Sequence, residues 1–156
     1  MNFDPVEFIM VLNSRKIRYL LIGRQAVVQY GAPLFSFDYD FWIDPADRNA
    51  VYETASQFEI KGTYSALDMK PVDSFTDDQG NKVDAFFVGV FSKKGMRLAF
   101  DDVYGRSVSK ADPDSDFYVR IPSIDDLIDL KRLGVTRPKD LEDIEYLEVI
   151  REKCTP

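Results

Sequence analysis

Apolar residues recur along this chain with two periods, and the switches between them lay out the elements. In "DPVEFIMVLNSRK" Phe8, Val11 and Leu12 form a helical stripe, Asp4 stands at a cap position, Pro5 suits the first helical turn, and Glu7 completes a box-like spacing. "IRYLLIG" then reads as a buried strand ending at Gly23, and "RQAVVQYG" as a short helix stopped by Gly31 and Pro33. In "FSFDYDFWID", residues 35 to 44, the period becomes two. Phe35, Phe37, Tyr39, Phe41 and Ile43 share one face, and Ser36, Asp38, Asp40, Trp42 and Asp44 the other.

Pro45 ends that strand, and residues 47 to about 58 return to helical spacing through Val51, Tyr52, Ala55 and Phe58. "VDSFTD" and "KVDAFFVGV" read as strands around the turn "DQGN", and "DFYVRI" as a later strand. "RLAFDDVYGRSV" fits either a strand or a short helix. Ser123 with Asp126 opens a helix at "SIDDLIDLKRL", and Pro138 opens another at "PKDLEDIEYLEVI". Alternating helices and strands, a strand-rich middle and a terminal helix pair predict an α/β or α+β fold with a mixed sheet and flanking helices. The expected organisation is one domain, with a sheet core over residues 1–120 and helices over 121–153.

Two carboxylates on one face of a strand repel each other unless solvent screens them or a cation sits between them, so Asp38 and Asp40 read either as a solvated face or as a metal pair. Trp42 shares their face, and a tryptophan there needs something to cover it. Asp84 interrupts a strand of otherwise buried types; an adjacent strand would bring it beside the pair, and a position just past the hairpin turn would leave it exposed. Three such aspartates could hold one or two Mg²⁺ ions, with Asp38 and Asp40 binding both, and Asp84 binding one and helping to deprotonate an attacking hydroxyl. Gly23, between a strand and a helix, permits close approach of a phosphate, or is simply a turn.

Composition narrows the chemistry. The 156 residues contain no histidine, which excludes histidine-based acid–base catalysis and imidazole ligands, and the single cysteine, Cys154, reads as part of a frayed tail. A net charge of −7 argues against a broad nucleic-acid surface. No apolar run approaches a membrane span and the start lacks a leader pattern, so the expected setting is the cytoplasm, without a membrane partner.

With these residues in place, "LIGRQAVVQYGAPLFSFDYDFWID" resembles the signature of the DNA polymerase beta-like nucleotidyltransferase superfamily: an apolar residue, Gly, a small residue, a spacer, and an acidic–apolar–acidic strand. Asp38, Asp40 and Asp84 match its metal-binding carboxylates. "IPSIDDLIDLKRLGVTRPKDLEDIEYL" looks like the closing motif of a small bacterial branch related to abortive-infection and toxin–antitoxin nucleotidyltransferases, onto which Lys131, Lys139 and Asp140 map. The resemblance implies Mg²⁺, a nucleoside triphosphate (ATP by family default) and transfer of a nucleotidyl group to a hydroxyl with release of pyrophosphate. Asp38, Asp40 and Asp84 would be catalytic; Gly23, Arg24, Ser36, Lys131 and Lys139 would contact the nucleotide. Lys131 otherwise reads as a snorkelling lysine, and Lys139 and Asp140 as first-turn surface charges. The acceptor, whether an RNA end, a protein or a small molecule, is left open, as is a protein partner or a second copy. Arg24 replaces the family's second small residue and Leu34 an arginine common in relatives. An inactive nucleotide sensor or a toxin–antitoxin-type binding module is therefore the alternative.

Overall fold

A computed structural model describes residues 2–134 and 137–154. The elements run α1 (Pro5–Ser14), β1 (Tyr19–Ile22), α2 (Gly23–Gln29), β2 (Tyr39–Ile43), α3 (Arg48–Gln57), β3 (Lys61–Gly62), β4 (Val72–Thr76), β5 (Lys82–Phe86), β6 (Val90–Lys93), β7 (Met96–Ala99), α4 (Phe100–Gly105), β8 (Val108–Ala111), β9 (Tyr118–Ile121), α5 (Ile124–Leu133) and α6 (Pro138–Cys154). Local chemistry explains several boundaries: the Asp4 carboxylate accepts from the Val6 and Glu7 amides, and the Ser123 hydroxyl accepts from the Asp126 amide.

Five strands form a mixed sheet in the order β1-β2-β5-β4-β3, with β2 and β5 parallel and the other neighbours antiparallel. Because side chains alternate, Tyr19, Leu21, Phe41, Ile43, Phe75, Val83 and Ala85 fall on one face, where α1 and α3 cover them with Phe8, Leu12, Val51 and Ala55. Leu20, Ile22, Asp40, Trp42, Asp84 and Phe86 fall on the other. There a second cluster joins Leu20 and Trp42 to Leu98 of β7 and to Phe100 and Val103 of α4.

This second cluster supplies the cover that Trp42 requires. The indole is fully buried, packs against Phe91 and Phe100 at 4.8 and 5.3 Å, and donates its N–H to the Val88 carbonyl at 2.6 Å. The hairpin β6-β7 that provides Phe91 is absent from the sequence reading. The ambiguous stretch from Arg97 to Val108 is in fact a strand end, a helix and a strand start in succession.

Two expectations are corrected. The acidic strand starts at Tyr39, not Phe35, and Phe35 and Phe37 are 70% and 81% exposed instead of joining the apolar face. Their rings meet each other at 4.6 Å, and Gln25 Nε2 donates to the Ser36 carbonyl, which fixes the loop as a bend ahead of β2. Cys154 is exposed but closes α6, so it ends a helix instead of a frayed tail.

Candidate active site

Asp40 and Asp84 are register partners on the parallel pair β2 and β5, which sets their carboxylates side by side on the second face of the sheet. Ser74, opposite Asp84 on β4, donates its hydroxyl to Asp84 Oδ1 at 2.5 Å, and Lys82 Nζ lies 3.4 Å from Asp84 Oδ2. Burial, together with the neighbouring charges of Asp84 and Asp38, pushes the Asp40 carboxyl from 3.8 up to about 6, against the opposing pull of Lys131. Asp38 sits one step outside β2 and is exposed, its amide donating to the Ser36 hydroxyl at 3.2 Å. Among the described residues no group of three carboxylates stands close enough to hold an ion unaided.

Gly23 is needed for two reasons. Its φ of +69° lies in the left-handed region, and a Cβ there would come within 2.5 Å of Asp40 Oδ2. The missing side chain is what lets the turn after β1 press against the Asp40 carboxylate.

The C-terminal helices bring charge to the same place. Lys131 on α5 is buried and pairs with Asp143 Oδ2 at 2.7 Å and Asp140 Oδ1 at 3.4 Å, both on α6. Arg137 donates its backbone N–H and its Nε to Asp140 Oδ2, each at 3.1 Å. Burial of Asp140 opposes ionisation, but the Arg137 hydrogen bonds and Lys131 hold its carboxyl below the ordinary value. Arg24 turns toward α6 as well, bonding Asp143 Oδ1 at 3.0 Å, Glu142 Oε1 at 2.8 Å and the Lys139 carbonyl. Asp143, fully buried, thus ties α2 and α5 to α6.

A cavity of about 400 Å³ opens between these parts. Of the residues the sequence singled out, Gly23, Asp40, Lys131 and Asp140 line it, whereas Asp38, Asp84, Arg24, Ser36 and Lys139 do not. Lys139 is exposed at the start of α6. The sequence reading missed Arg137, Asp143, Phe86 and Phe91. The spacing from Arg137 to Asp140 is a helix-start pattern that could have pointed to Arg137; nothing local marks Asp143, whose partners lie on other helices, or the phenylalanines, whose role depends on a hairpin folding over the sheet.

The donor set fits a hard divalent cation. Burial first, and the adjoining charge of Asp84 second, raise the proton affinity of Asp40, and Mg²⁺ takes one or two carboxylates while leaving other positions to water and substrate phosphates.

No protein-family model and no curated protein sequence matches the chain. Solved structures do. The lincosamide antibiotic adenylyltransferase LnuA in its lincomycin-bound form superposes with a TM-score of 0.68 at 16% identity, over 96% of this chain and 99% of that one. A candidate nucleotidyltransferase from Thermotoga maritima gives 0.56 at 15% identity, over 97% and 95%. ANT(2'')-Ia in complex with adenylyl-2''-tobramycin gives 0.60 at 12% identity, over 94% and 91%. The shared architecture is the nucleotidyltransferase fold, as the sequence pattern predicted; the toxin–antitoxin branch receives no support from these matches.

Proposed function

We propose, from the nucleotidyltransferase fold and the pairing of Asp84 with Asp40 in the cavity wall, that this protein transfers a nucleotidyl group from a nucleoside triphosphate, ATP by preference, to a hydroxyl acceptor. The observation that carries the reading is the juxtaposition of two carboxylates, a glycine turn pressed on one of them, and Lys131 on the facing helix. A divalent cation, when bound, would neutralise the triphosphate and align its α-phosphate. Asp40 and Asp84 would hold it, with Asp38 joining from the bend before β2. Lys131 would meet phosphate oxygens as a point charge, and Arg137, oriented by Asp140, would offer a planar fork.

In the transfer, the acceptor oxygen forms a bond to the α-phosphorus, the bond to the bridging oxygen of pyrophosphate breaks, and the hydroxyl proton passes to a carboxylate. Asp84 suits that last role: it is the register partner of Asp40, and Ser74 and Lys82 fix its orientation. Arg24 favours the inactive alternative less than its size suggests. Its guanidinium is committed to Asp143 and Glu142 and leaves the cavity wall to Gly23.

Calorimetric titration of Mg²⁺ with each of the four nucleoside triphosphates tests the proposal. Wild-type protein should bind, and Asp40→Asn and Asp84→Asn should each lose about tenfold or more in affinity. Unchanged affinity in both variants would overturn the site. A screen of acceptors with α-phosphate-labelled ATP, including lincomycin, tobramycin and transfer RNA, then tests transfer itself.

A further inference from the structure

The cavity is lined by side chains of two kinds. Four are charged: Asp40, Lys131, Arg137 and Asp140. Six are apolar: Ile22, Phe86, Phe91, Leu127, Leu130 and Leu133. Leu20, Trp42 and Phe100, in the same cluster, are fully packed, while Ile22, Phe86, Phe91, Leu130 and Leu133 stay half-buried because their outer faces border the cavity. Apolar surface of this kind, left uncovered inside a core, gains by being covered with apolar ligand surface.

The lining also excludes certain occupants. Among the described residues, no amide or hydroxyl side chain lines the cavity. A buried nucleobase presents ring nitrogens and exocyclic groups around its edge, and each left without a partner weakens binding. A polycation would need several free carboxylates, but Asp140 is already shared by Lys131 and Arg137, which leaves Asp40 alone. A long polyanion must approach a protein of net charge −7 and enter a volume suited to a drug-sized molecule.

We infer that the acceptor is a small hydroxylated molecule with an apolar face, seated on Phe86, Phe91, Leu130 and Leu133 so that its hydroxyl reaches the Asp40–Asp84 pair. The inference rests on the transferase reading above and specifies its acceptor class. Phe91 and Leu133 are the specificity-determining positions: the first comes from the β6-β7 hairpin and the second from the last turn of α5, so the two sides of the wall belong to different elements.

The experiment uses lincomycin and tobramycin as probes. Lincomycin carries one amine and an alkylated ring beside its sugar hydroxyls; tobramycin carries several ammonium groups and no comparable apolar face. Each is titrated calorimetrically, without nucleotide, into wild-type protein, Phe91→Ala and Leu133→Gln, and Mg²⁺ with ATP is titrated into the same three proteins. Leu133→Gln keeps the side chain's length on a half-buried position, so it reads the wall even if Phe91→Ala loosens the hairpin over Trp42.

The expected result is lincomycin binding at least tenfold tighter than tobramycin in the wild type. Both substitutions should reduce lincomycin affinity by about tenfold, with Mg²⁺-ATP affinity moving less than about twofold. Lincomycin binding no tighter than tobramycin, including absence of binding by both, would overturn the inference. So would loss of ATP affinity in the two variants, which would give the wall to the base, or label passing from ATP to transfer RNA. Absence of Mg²⁺-ATP binding in the wild type sinks the transferase reading instead and leaves the nucleotide-free titrations readable on their own.

Discussion

Replacing Asp40 by Asn should make the protein more stable, and the size and pH dependence of the gain follow from the site. Burial and the neighbouring carboxylates raise Asp40 from 3.8 to about 6. Between those values the folded protein keeps a proton that the unfolded chain has released, so stability falls as pH rises through this window, and the cost is complete above about pH 6. The full difference corresponds to about 3 kcal/mol. Water in the cavity screens part of it, leaving an expected gain of about 1–3 kcal/mol at pH 8 for the nearly isosteric amide. For a chain of this length that is a rise in Tm of roughly 3–10 °C. The gain should vanish at pH 4, where Asp40 is protonated in the folded wild type and the asparagine has nothing to relieve. Thermal melts of both proteins at pH 4, 6 and 8 measure it. Mg²⁺ at pH 8 should raise the wild-type Tm and move the variant less, since the cation offsets the same repulsion. A variant that melts lower than the wild type at pH 8, or a difference independent of pH, would refute the reasoning.

Gly23→Ala should destabilise by about 1–3 kcal/mol in urea unfolding, combining a left-handed backbone with a Cβ driven against Asp40, and should weaken Mg²⁺-ATP binding because Asp40 must move. Lys131→Met leaves Asp143 buried with only Arg24 to balance it; a loss of about 3–5 kcal/mol is expected by denaturant titration, and a loss under 1 kcal/mol would show that the pair is not load-sharing. Trp42→Phe removes the indole donor to the Val88 carbonyl and part of a fully buried ring, so about 2–4 kcal/mol should be lost in the same assay. By contrast, Phe35→Ala and Phe37→Ala should each change stability by less than about 0.5 kcal/mol, since both rings are exposed, and a larger loss by thermal melting would contradict that placement.

Much of the local order was legible from the chain alone. Asp4 and Ser123 announce helix starts because their oxygens reach amides two or three residues away, and the alternation from Tyr39 to Ile43 assigns Asp40 and Trp42 to one face because strand periodicity is two. The absence of histidine excludes imidazole chemistry, and the strand pair of Asp40 and Asp84 was foreseeable once both were read on neighbouring strands. Sequence overextended the acidic strand because Phe35 and Phe37 keep its alternation, while the bond from Gln25 to the Ser36 carbonyl, a contact between elements, bends the chain away.

Tertiary structure decided what a linear pattern cannot encode: which charges meet. Arg24 reads as a residue at a phosphate turn, yet its guanidinium goes to Asp143 and Glu142, 119 and 118 residues distant, because α6 packs across α2 and a buried carboxylate there requires cations. The cavity wall arises likewise. Phe86 and Phe91 look like ordinary core residues until the β6-β7 hairpin folds over Trp42 and leaves their outer faces toward Asp40 and Lys131. Sequence determined the candidate reactive groups through local periodicity and composition; only long-range packing, driven by burial of the second apolar cluster and by charge pairing between helices, determined what faces them.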